Sequence, residues 1–283
     1  MKKIIVFLIA VVILAGFTGC DFLSSPETLV RPSVGNESET APVTAVSNAP
    51  VVKGFNQTTT YYVSWDTNSS PYEINDGTKI SGTAPSNWYD YTAGQNKWAN
   101  IKTTGEGNDC YWVWIPRYAY QVPAKSGTAQ TINIKFLQGK TNVPIRESAP
   151  ITNTTPAAGE WVVHPAFANA GNGGFGELEG IWVAKFTASS SSVGVEPGFG
   201  GQAGGTSYLT GNGGGSDTSL YVRAIPNVTM WREINVNDIV TVCKNMTNDG
   251  NSLAGSTGID SHLLKNTEWG AAAYLGPTEQ AQI

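Results

Sequence analysis

Residues 111–122 form the densest aromatic and β-branched run in a chain otherwise rich in Gly, Ser, Thr and Asn, and they constrain its fold more than any other stretch. Aromatic and β-branched side chains favour a strand. Because Pro116 cannot donate a backbone hydrogen bond, we expect one strand to end there and a second to begin at Tyr118. Trp112 and Trp114 must be covered by other segments, which predicts that both lie in the core.

The overall composition excludes one broad class of function. The formal charge is −5 and the chain has no basic stripe, so we expect no nucleic-acid partner. The length of 283 residues permits one sizeable core. The 32 glycines, with abundant Asn, Ser and Thr, indicate a loop-rich surface protein rather than a compact helical enzyme.

The amino terminus has the pattern of an export signal. Lys2 and Lys3 precede an apolar run at residues 4–17, which ends at Thr18-Gly19-Cys20. A basic start, an apolar stretch and small residues before a break are typical of a secretory signal peptide. The run is shorter than the roughly 20 residues of an ordinary transmembrane helix. We therefore predict that residues 1–19 are a signal peptide and that the protein is exported.

Cys20 directly follows the predicted cleavage site. This arrangement resembles the lipobox of bacterial lipoproteins, in which cleavage leaves a diacylated amino-terminal cysteine; Thr18 and Gly19 fit it, and Phe17 stands where Leu is usual. The alternative is an ordinary cleaved signal followed by a free Cys20. A lipid on Cys20 would anchor the protein to the cell envelope, facing outside the cytoplasm. The protein would then have the membrane as a partner through this anchor. An acidic surface alone does not favour membrane binding.

Beyond the signal, composition divides the chain into three parts. Residues 20–51 are rich in Ser, Pro, Glu and Thr, cannot offset their ordering entropy by burial, and are predicted to be a flexible stalk after the lipidated cysteine. Residues 52–105 alternate strands with turns, including a strand at 61–65 and a turn at 75–77. They form either a small β-rich accessory domain or the amino-terminal part of the domain that occupies residues 106–283.

Two surfaces are candidates for ligand binding. Four aromatic residues stand among Pro, Asn and Gly, namely Trp88, Tyr89, Tyr91 and Trp98. Aromatic residues in such a context usually pack beneath a sheet, and the alternative is a platform on which a sugar ring stacks. The long Gly- and Ser-rich stretch at 189–219 is the second candidate, because loops on rigid scaffolds often carry binding.

The remaining elements are predicted from periodicity. Residues 131–137 and 180–186 have strand composition, and a short apolar segment at 161–167 is broken at Pro165. A helix capped by Asn235 is indicated by five residues at helical spacing, namely Val236, Ile239, Val240, Cys243 and Met246. A second helix, capped by Asn266 or Thr267, is expected to run through residues 268–275.

Several sequence patterns resemble catalytic or ligand-binding motifs, but their context does not support such a function. Residues 171–176 satisfy G-x-G-x-x-G but lead into a predicted strand, whereas a dinucleotide site needs a helix there. Ser261 adjoins His262, but neighbouring residues point in different directions and no acid is tied to them. A metal site would require His164 and His262 to converge with the cysteines, for which spacing gives no support. We therefore assign no catalytic residue and no metal ligand.

Two further points stay open at this stage. Asp249 and Asp260, with nearby Asn residues, can bind calcium, although solvated loop carboxylates are the preferred interpretation. Cys110 and Cys243 can form one disulfide in an oxidising compartment or remain two separately buried thiols, and the second alternative is favoured.

Four segments in series resemble the formylglycine-generating (sulfatase-modifying factor) family. Residues 112–116 resemble the Val-Trp-Ile-Pro strand that opens those domains, and residues 181–186 resemble their next strand. Residues 226–231 are similar to their turn into a helix, and residues 263–273 keep the spacing of their Glu-Trp helix. The resemblance implies an α+β, C-type-lectin-like fold that is irregular, strand-rich and has two helices near the carboxy-terminal end.

The departures from this family determine the expected function. Its enzymes use a reactive cysteine pair near the carboxy terminus and bind copper, but no cysteine follows Cys243 here. We therefore expect a non-catalytic surface lipoprotein whose lectin-like module binds a glycan or a surface protein. One alternative is an oxidase whose catalytic cysteines lie beyond residue 283, because the chain is expected to be truncated. Copper would be its cofactor. Another is a hypervariable target-recognition protein of the same class.

Overall fold

The computed structural model describes residues 3–7, 48–65, 74–91, 97–124, 132–191, 216–226, 228, 230–232 and 234–275. Cys20, the rest of the predicted signal peptide, most of the predicted stalk and residues 192–215 of the Gly- and Ser-rich stretch lie outside these ranges.

The described ranges contain twelve strands and two α-helices. The strands are β1 (Lys3–Phe7), β2 (Thr60–Trp65), β3 (Ile74–Lys79), β4 (Asn100–Thr103), β5 (Cys110–Pro116), β6 (Tyr118–Gln121), β7 (Ile134–Phe136), β8 (Trp161–Val163), β9 (Gly180–Ala184), β10 (Ser189–Ser190), β11 (Val222–Arg223) and β12 (Ile259–Leu263). The helices are α1 (Val236–Lys244) and α2 (Asn266–Ala273), with short 3-10 helices at Pro165–Phe167 and Asn245–Thr247. The predicted α+β class, rich in strands and with two helices late in the chain, is confirmed.

One mixed sheet organises these elements. Its strand order is β12-β1-β9-β5-β4-β2-β3. The strand β1 pairs in parallel with both of its neighbours, and every other pairing in the sheet is antiparallel. The strands β7, β6 and β8 form a second, antiparallel sheet, and β10 pairs with β11. Residues 52–105 thus contribute β2, β3 and β4 to the same sheet as β5 and β9.

The core lies on both faces of the β5–β9 pair. Trp112, Trp114 and Trp182 belong to one hydrophobic cluster, whereas Val113 and Ile181 belong to another. This alternation follows from the two-residue period of a strand, and both faces are covered because residues of α1 join the first cluster and residues of α2 join the second. Trp112 is 0% exposed and Trp114 is 3% exposed, which confirms the prediction that both are buried.

The break at Pro116 is also confirmed, because β5 ends there and β6 begins at Tyr118. The residue between them, Arg117, is only 1% exposed. Its guanidinium donates to backbone oxygens, to an amide oxygen and to a carboxylate, namely Thr141 O, Phe167 O, Leu178 O, Asn142 Oδ1 and Glu177 Oε2. Arg117 therefore ties the loops around β6 together, a role that local sequence did not indicate.

The turn predicted at residues 75–77 is wrong, because these residues lie inside β3. The β2–β3 register shifts between Tyr61 and Val63, which marks a β-bulge. A Cβ atom added to Gly77 would lie 2.3 Å from the carbonyl oxygen of Tyr62. Gly77 is thus required by a close backbone approach within the sheet, and not by a reversal of the chain.

The predicted strand at 131–137 is shorter in the structure, where β7 covers three residues and Leu137 forms a bridge to Pro144. The strand predicted at 180–186 ends at Ala184. The segment at 161–167 divides as expected, with β8 before Pro165 and a 3-10 helix that begins at Pro165.

The helices differ from prediction at their first turns. Asn235 caps α1 as expected, with its side-chain oxygen 3.0 Å from the backbone nitrogen of Asp238. However, Val236 is 65% exposed and Val242 is buried instead, because the first turn does not reach the core cluster. The N-cap of α2 is Lys265, one residue before Asn266, and its backbone N–H donates to the Glu268 carboxylate at 2.8 Å.

Within the described ranges, no helix combines the length and the apolar character needed to cross a lipid bilayer.

Candidate functional site

Three of the four predicted ligand-binding residues come together with one that the sequence did not indicate. We call Tyr89, Tyr91, Trp98 and Phe136 the aromatic ladder. The ring centroid of Tyr91 lies 5.1 Å from that of Tyr89, 5.5 Å from that of Trp98 and 5.6 Å from that of Phe136. All four side chains are half-buried. Part of the surface of each residue is therefore exposed, but the phenol oxygen of Tyr91 is buried.

Trp88, the fourth predicted residue, is a core residue and not part of this surface. It is 5% exposed, and its indole N–H donates to the backbone oxygen of Asn100 at 2.6 Å. Its ring contacts Tyr62 at 4.5 Å and Tyr89 at 5.7 Å between centroids. Trp88 therefore supports the ladder from below, and its assignment as a ligand-binding residue is corrected because burial removes it from solvent.

Backbone pairing fixes the position of the ladder. The backbone N–H of Asp90 donates to the oxygen of Lys97 at 2.8 Å, which brings the neighbouring residues Tyr91 and Trp98 together. Tyr89 and Tyr91 pack against the cluster of Trp112, whereas Trp98 and Phe136 pack against that of Val113. The ladder thus spans the boundary between the two core clusters.

The ladder is apolar and uncharged. Burial raises the pKa of Tyr91 well above its ordinary value, so its phenol stays neutral at physiological pH. Neutral rings present apolar faces and polar edges, a combination suited to the C–H face and the hydroxyl groups of a sugar. An arrangement of this kind can bind a ligand but offers no nucleophile, acid or base.

A second group of side chains joins β12 to α2. The imidazole Nε2 of His262 lies 3.0 and 3.1 Å from the carboxylate oxygens of Glu268, which is fully buried. On the other side of the ring, Nδ1 lies 3.1 Å from Asp260 Oδ2. Lys265 Nζ lies 3.6 Å from the Glu268 carboxylate and 4.3 Å from the ring centroid of Phe175. We call His262, Glu268, Asp260 and Lys265 the charge cluster.

The charge cluster has a structural role. Its two carboxylates face opposite nitrogens of one imidazole, so they do not converge on a common point where a metal ion would sit. The described residues contain no group of three or more His, Cys, Asp or Glu side chains able to hold a metal. Ser261 lies next to His262 on β12 and therefore points to the opposite face, which separates a hydroxyl from the base that would activate it.

The glycines at 171–176 take part in this packing. Gly173, Gly174 and Gly176 have positive φ, and the chain then enters β9 without an intervening helix. The Phe175 ring of this loop stacks on the His262 ring with 6.2 Å between centroids. The loop therefore packs against the charge cluster, and it lacks the helix amino terminus that cradles a phosphate.

Cys110 and Cys243 are both free and buried, which confirms the prediction of two separate thiols. Burial raises the pKa of each thiol to about 12, and the charge of Cys110 adds to the effect at Cys243. Since the thiolate is the nucleophile and the metal ligand, neither cysteine is reactive at neutral pH.

Comparison with known proteins found no family, no curated protein and no solved structure that matches this chain.

Proposed function

We propose that this chain is an exported lipoprotein, held at the cell envelope through Cys20, whose domain recognises a glycan through the aromatic ladder. The observation that carries this proposal is the ladder itself: each of its four half-buried rings lies 5.1 to 6.2 Å from at least one other, and all four pack against the core clusters. A preformed apolar platform loses little conformational entropy when a ligand binds.

The proposed architecture is the C-type-lectin-like fold of the sulfatase-modifying-factor type. Its support is the order of the four resembling segments and the placement of the two helices against opposite core clusters. The oxidase activity of that family is not proposed for the residues described. The two thiols in the described ranges are buried and protonated, and such thiols do not carry copper or oxygen chemistry.

The binding proposal is tested with purified protein on a panel of immobilised glycans, followed by titration of any ligand found. We expect Tyr89→Ala and Trp98→Ala each to weaken binding by roughly tenfold, as expected for the loss of one stacked ring. Trp269→Ala is the matched control, because Trp269 is 55% exposed and lies on α2, outside the ladder. Equal loss in the control, or no glycan bound at all, would refute the proposal.

The anchor is tested separately by growing cells with a radioactive fatty acid. We expect label on the wild-type protein and none on Cys20→Ser, with the labelled protein recovered in the membrane fraction. If both proteins are unlabelled but exported, the chain has an ordinary cleaved signal and Cys20 is a free thiol.

A further inference from the structure

Two tyrosines lie close together where the second sheet meets the end of α2. The ring centroids of Tyr120, on β6, and Tyr274, the C-cap of α2, are 5.2 Å apart, with the ring planes at 72°. Both residues are half-buried. We call Tyr120 and Tyr274 the tyrosine pair. Like the aromatic ladder, it leaves part of its surface exposed to solvent.

The tyrosine pair rests on a buried histidine, much as the ladder rests on Trp88. The ring centroid of His164 lies 5.6 Å from that of Tyr120 and 5.3 Å from that of Tyr274, and His164 is 3% exposed. Burial lowers the pKa of His164 to about 4, so this supporting ring is uncharged at neutral pH. The pair is therefore held in place by packing, which reduces the conformational entropy that a ligand would cost it.

The register of the second sheet connects the tyrosine pair to the ladder. Phe136, the ladder residue on β7, pairs with Tyr118, and Tyr120 lies two residues further along β6. The two-residue period of a strand places all three on one face of this sheet. Phe136 and Tyr120 are diagonal neighbours there, a relation that separates residues by about 7 to 8 Å. Trp98, Phe136 and the tyrosine pair also pack against the same core cluster. The ladder and the tyrosine pair therefore form one aromatic row.

The residues of the aromatic row carry no charge. Lys135, next to Phe136 on β7, lies on the opposite face of the second sheet, where its Nζ is 2.6 Å from Glu147 Oε1. At the ladder end, Asp90 and Lys97 have opposite formal charges. A sugar acid would thus meet no net positive charge along the row, on a protein whose own formal charge is −5. The electrostatics favour a neutral sugar.

The tyrosine pair adds hydroxyl groups that the middle of the ladder lacks. The phenol oxygen of Tyr91 is buried, and Phe136 has no hydroxyl. Burial, and to a lesser degree the neighbouring phenol of Tyr274, raises the pKa of Tyr120. The Tyr120 phenol is therefore neutral at physiological pH and can both donate and accept a hydrogen bond. Rings with a few polar groups are the usual lining of a small-molecule site.

We propose that the aromatic row binds a linear oligosaccharide of neutral sugars, with the ladder and the tyrosine pair as two subsites for different sugar units of one chain. Contact at one subsite makes contact at the other intramolecular, so a chain long enough to reach both gains affinity over a short one. This inference rests on the proposed glycan binding and adds to it the length and the charge of the ligand.

The first test uses the wild-type protein alone. The probes are the disaccharide and the hexasaccharide of three neutral linear polysaccharides, namely cellulose, chitin and β-mannan, with a galacturonic acid hexasaccharide as the charged control. Isothermal titration calorimetry measures the affinities. We expect at least one neutral hexasaccharide to bind roughly tenfold more tightly than its disaccharide. We expect the charged hexasaccharide to bind more weakly than that neutral one.

Variants then assign the length dependence to the tyrosine pair. Tyr274→Ala should bring the affinity for the hexasaccharide close to that for the disaccharide, whereas Tyr89→Ala, in the ladder, should weaken both. Tyr274→Phe keeps the ring and its packing, and should weaken the hexasaccharide by roughly threefold through loss of the hydroxyl. Trp269→Ala is the matched control, since Trp269 lies on α2 outside the row and is 55% exposed. Thermal melting followed by circular dichroism shows that each variant is folded.

Equal affinities of the wild-type protein for the disaccharide and the hexasaccharide would overturn the inference and leave the proposed glycan binding in place. A preference for the charged hexasaccharide would do the same, as would a folded Tyr274→Ala protein that keeps the full preference for the longer chain. Binding of other glycans but of none of these three series also overturns the inference alone. If no glycan binds at all, the proposed function fails and the inference fails with it.

Discussion

His262 Nε2 lies within 3.1 Å of both carboxylate oxygens of Glu268, a residue with no solvent exposure. Burial acts to raise the pKa of Glu268, but the hydrogen bond and charge of His262, together with the backbone N–H and charge of Lys265, lower it below its ordinary value. Glu268 is therefore ionised and can only accept hydrogen bonds, so Nε2 of His262 carries the proton. This pair joins β12 to α2.

The first prediction concerns this pair. His262→Ala leaves a buried carboxylate without its main partner and should lower the free energy of unfolding by about 3 kcal/mol. Asp260→Asn is the control, because Asp260 contacts the same ring but is partly exposed, and its effect should stay below about 1 kcal/mol. Urea denaturation monitored by tryptophan fluorescence measures both. A stability of His262→Ala equal to that of wild type would show that the pair does not hold β12 and α2 together.

The second prediction concerns pH. Burial among Tyr118, Phe167 and Tyr274 lowers the pKa of His164 to about 4 from 6.5. The unfolded chain therefore takes up a proton on this residue at a higher pH than the folded chain. His164 adds no pH dependence to the free energy of unfolding well above pH 6.5. As the pH drops from 6.5 towards 4, protonation of His164 in the unfolded chain lowers this free energy by roughly 2 to 3 kcal/mol in total.

The measurement for His164 is the free energy of unfolding at pH 7 and at pH 4.5, for wild type and for His164→Asn. The asparagine can still accept from the backbone N–H of Ala166, which His164 Nδ1 accepts at 3.3 Å. We expect a smaller loss of stability at the lower pH in the variant. An equal loss in both proteins would assign the acid sensitivity to other groups.

The third prediction tests the β-bulge. Gly77→Ala places a Cβ atom 2.3 Å from the Tyr62 carbonyl oxygen, and because this oxygen belongs to the backbone, β2 must shift. We expect a loss of about 2 kcal/mol in thermal or urea denaturation. Thr78→Ala, at the exposed neighbouring position in β3, should change stability by less than about 0.5 kcal/mol. If both substitutions have the same small effect, the close approach at Gly77 is absent.

The fourth prediction concerns the thiols. In a Cys20→Ser background, Cys110 and Cys243 should react with a maleimide on the order of a thousandfold more slowly in the folded protein than in urea at pH 7.4, because burial suppresses both access and the thiolate. Mass spectrometry at timed intervals follows the two adducts separately. Rapid labelling of either residue in the folded state would contradict the buried, protonated assignment.

The parts of the fold that the sequence predicted correctly are those set by local chemistry. The interruption at Pro116 follows from a missing backbone donor, and the cap at Asn235 follows from the side-chain oxygen next to free helix N–H groups. The burial of Trp112 and Trp114 follows from the size of their apolar surface. In the candidate site, the same reasoning proposed Trp88 together with Tyr89, Tyr91 and Trp98, and only the structure shows that Trp88 is buried, because depth below the surface is not a local property.

The remaining features depend on which distant segments meet. Phe136 joins the ladder from another sheet, Arg117 finds its acceptors 24 to 61 residues away, and Gly77 is needed only because the Tyr62 carbonyl lies against it. The same is true of β1, whose apolar sequence indicates burial but does not say whether in a membrane or between β9 and β12. The sequence by itself determined the strand break at Pro116 and the helix cap at Asn235, since both depend on adjacent atoms. Only the tertiary structure decided register, sheet order and the depth of each ring, because these depend on how whole surfaces are buried against one another.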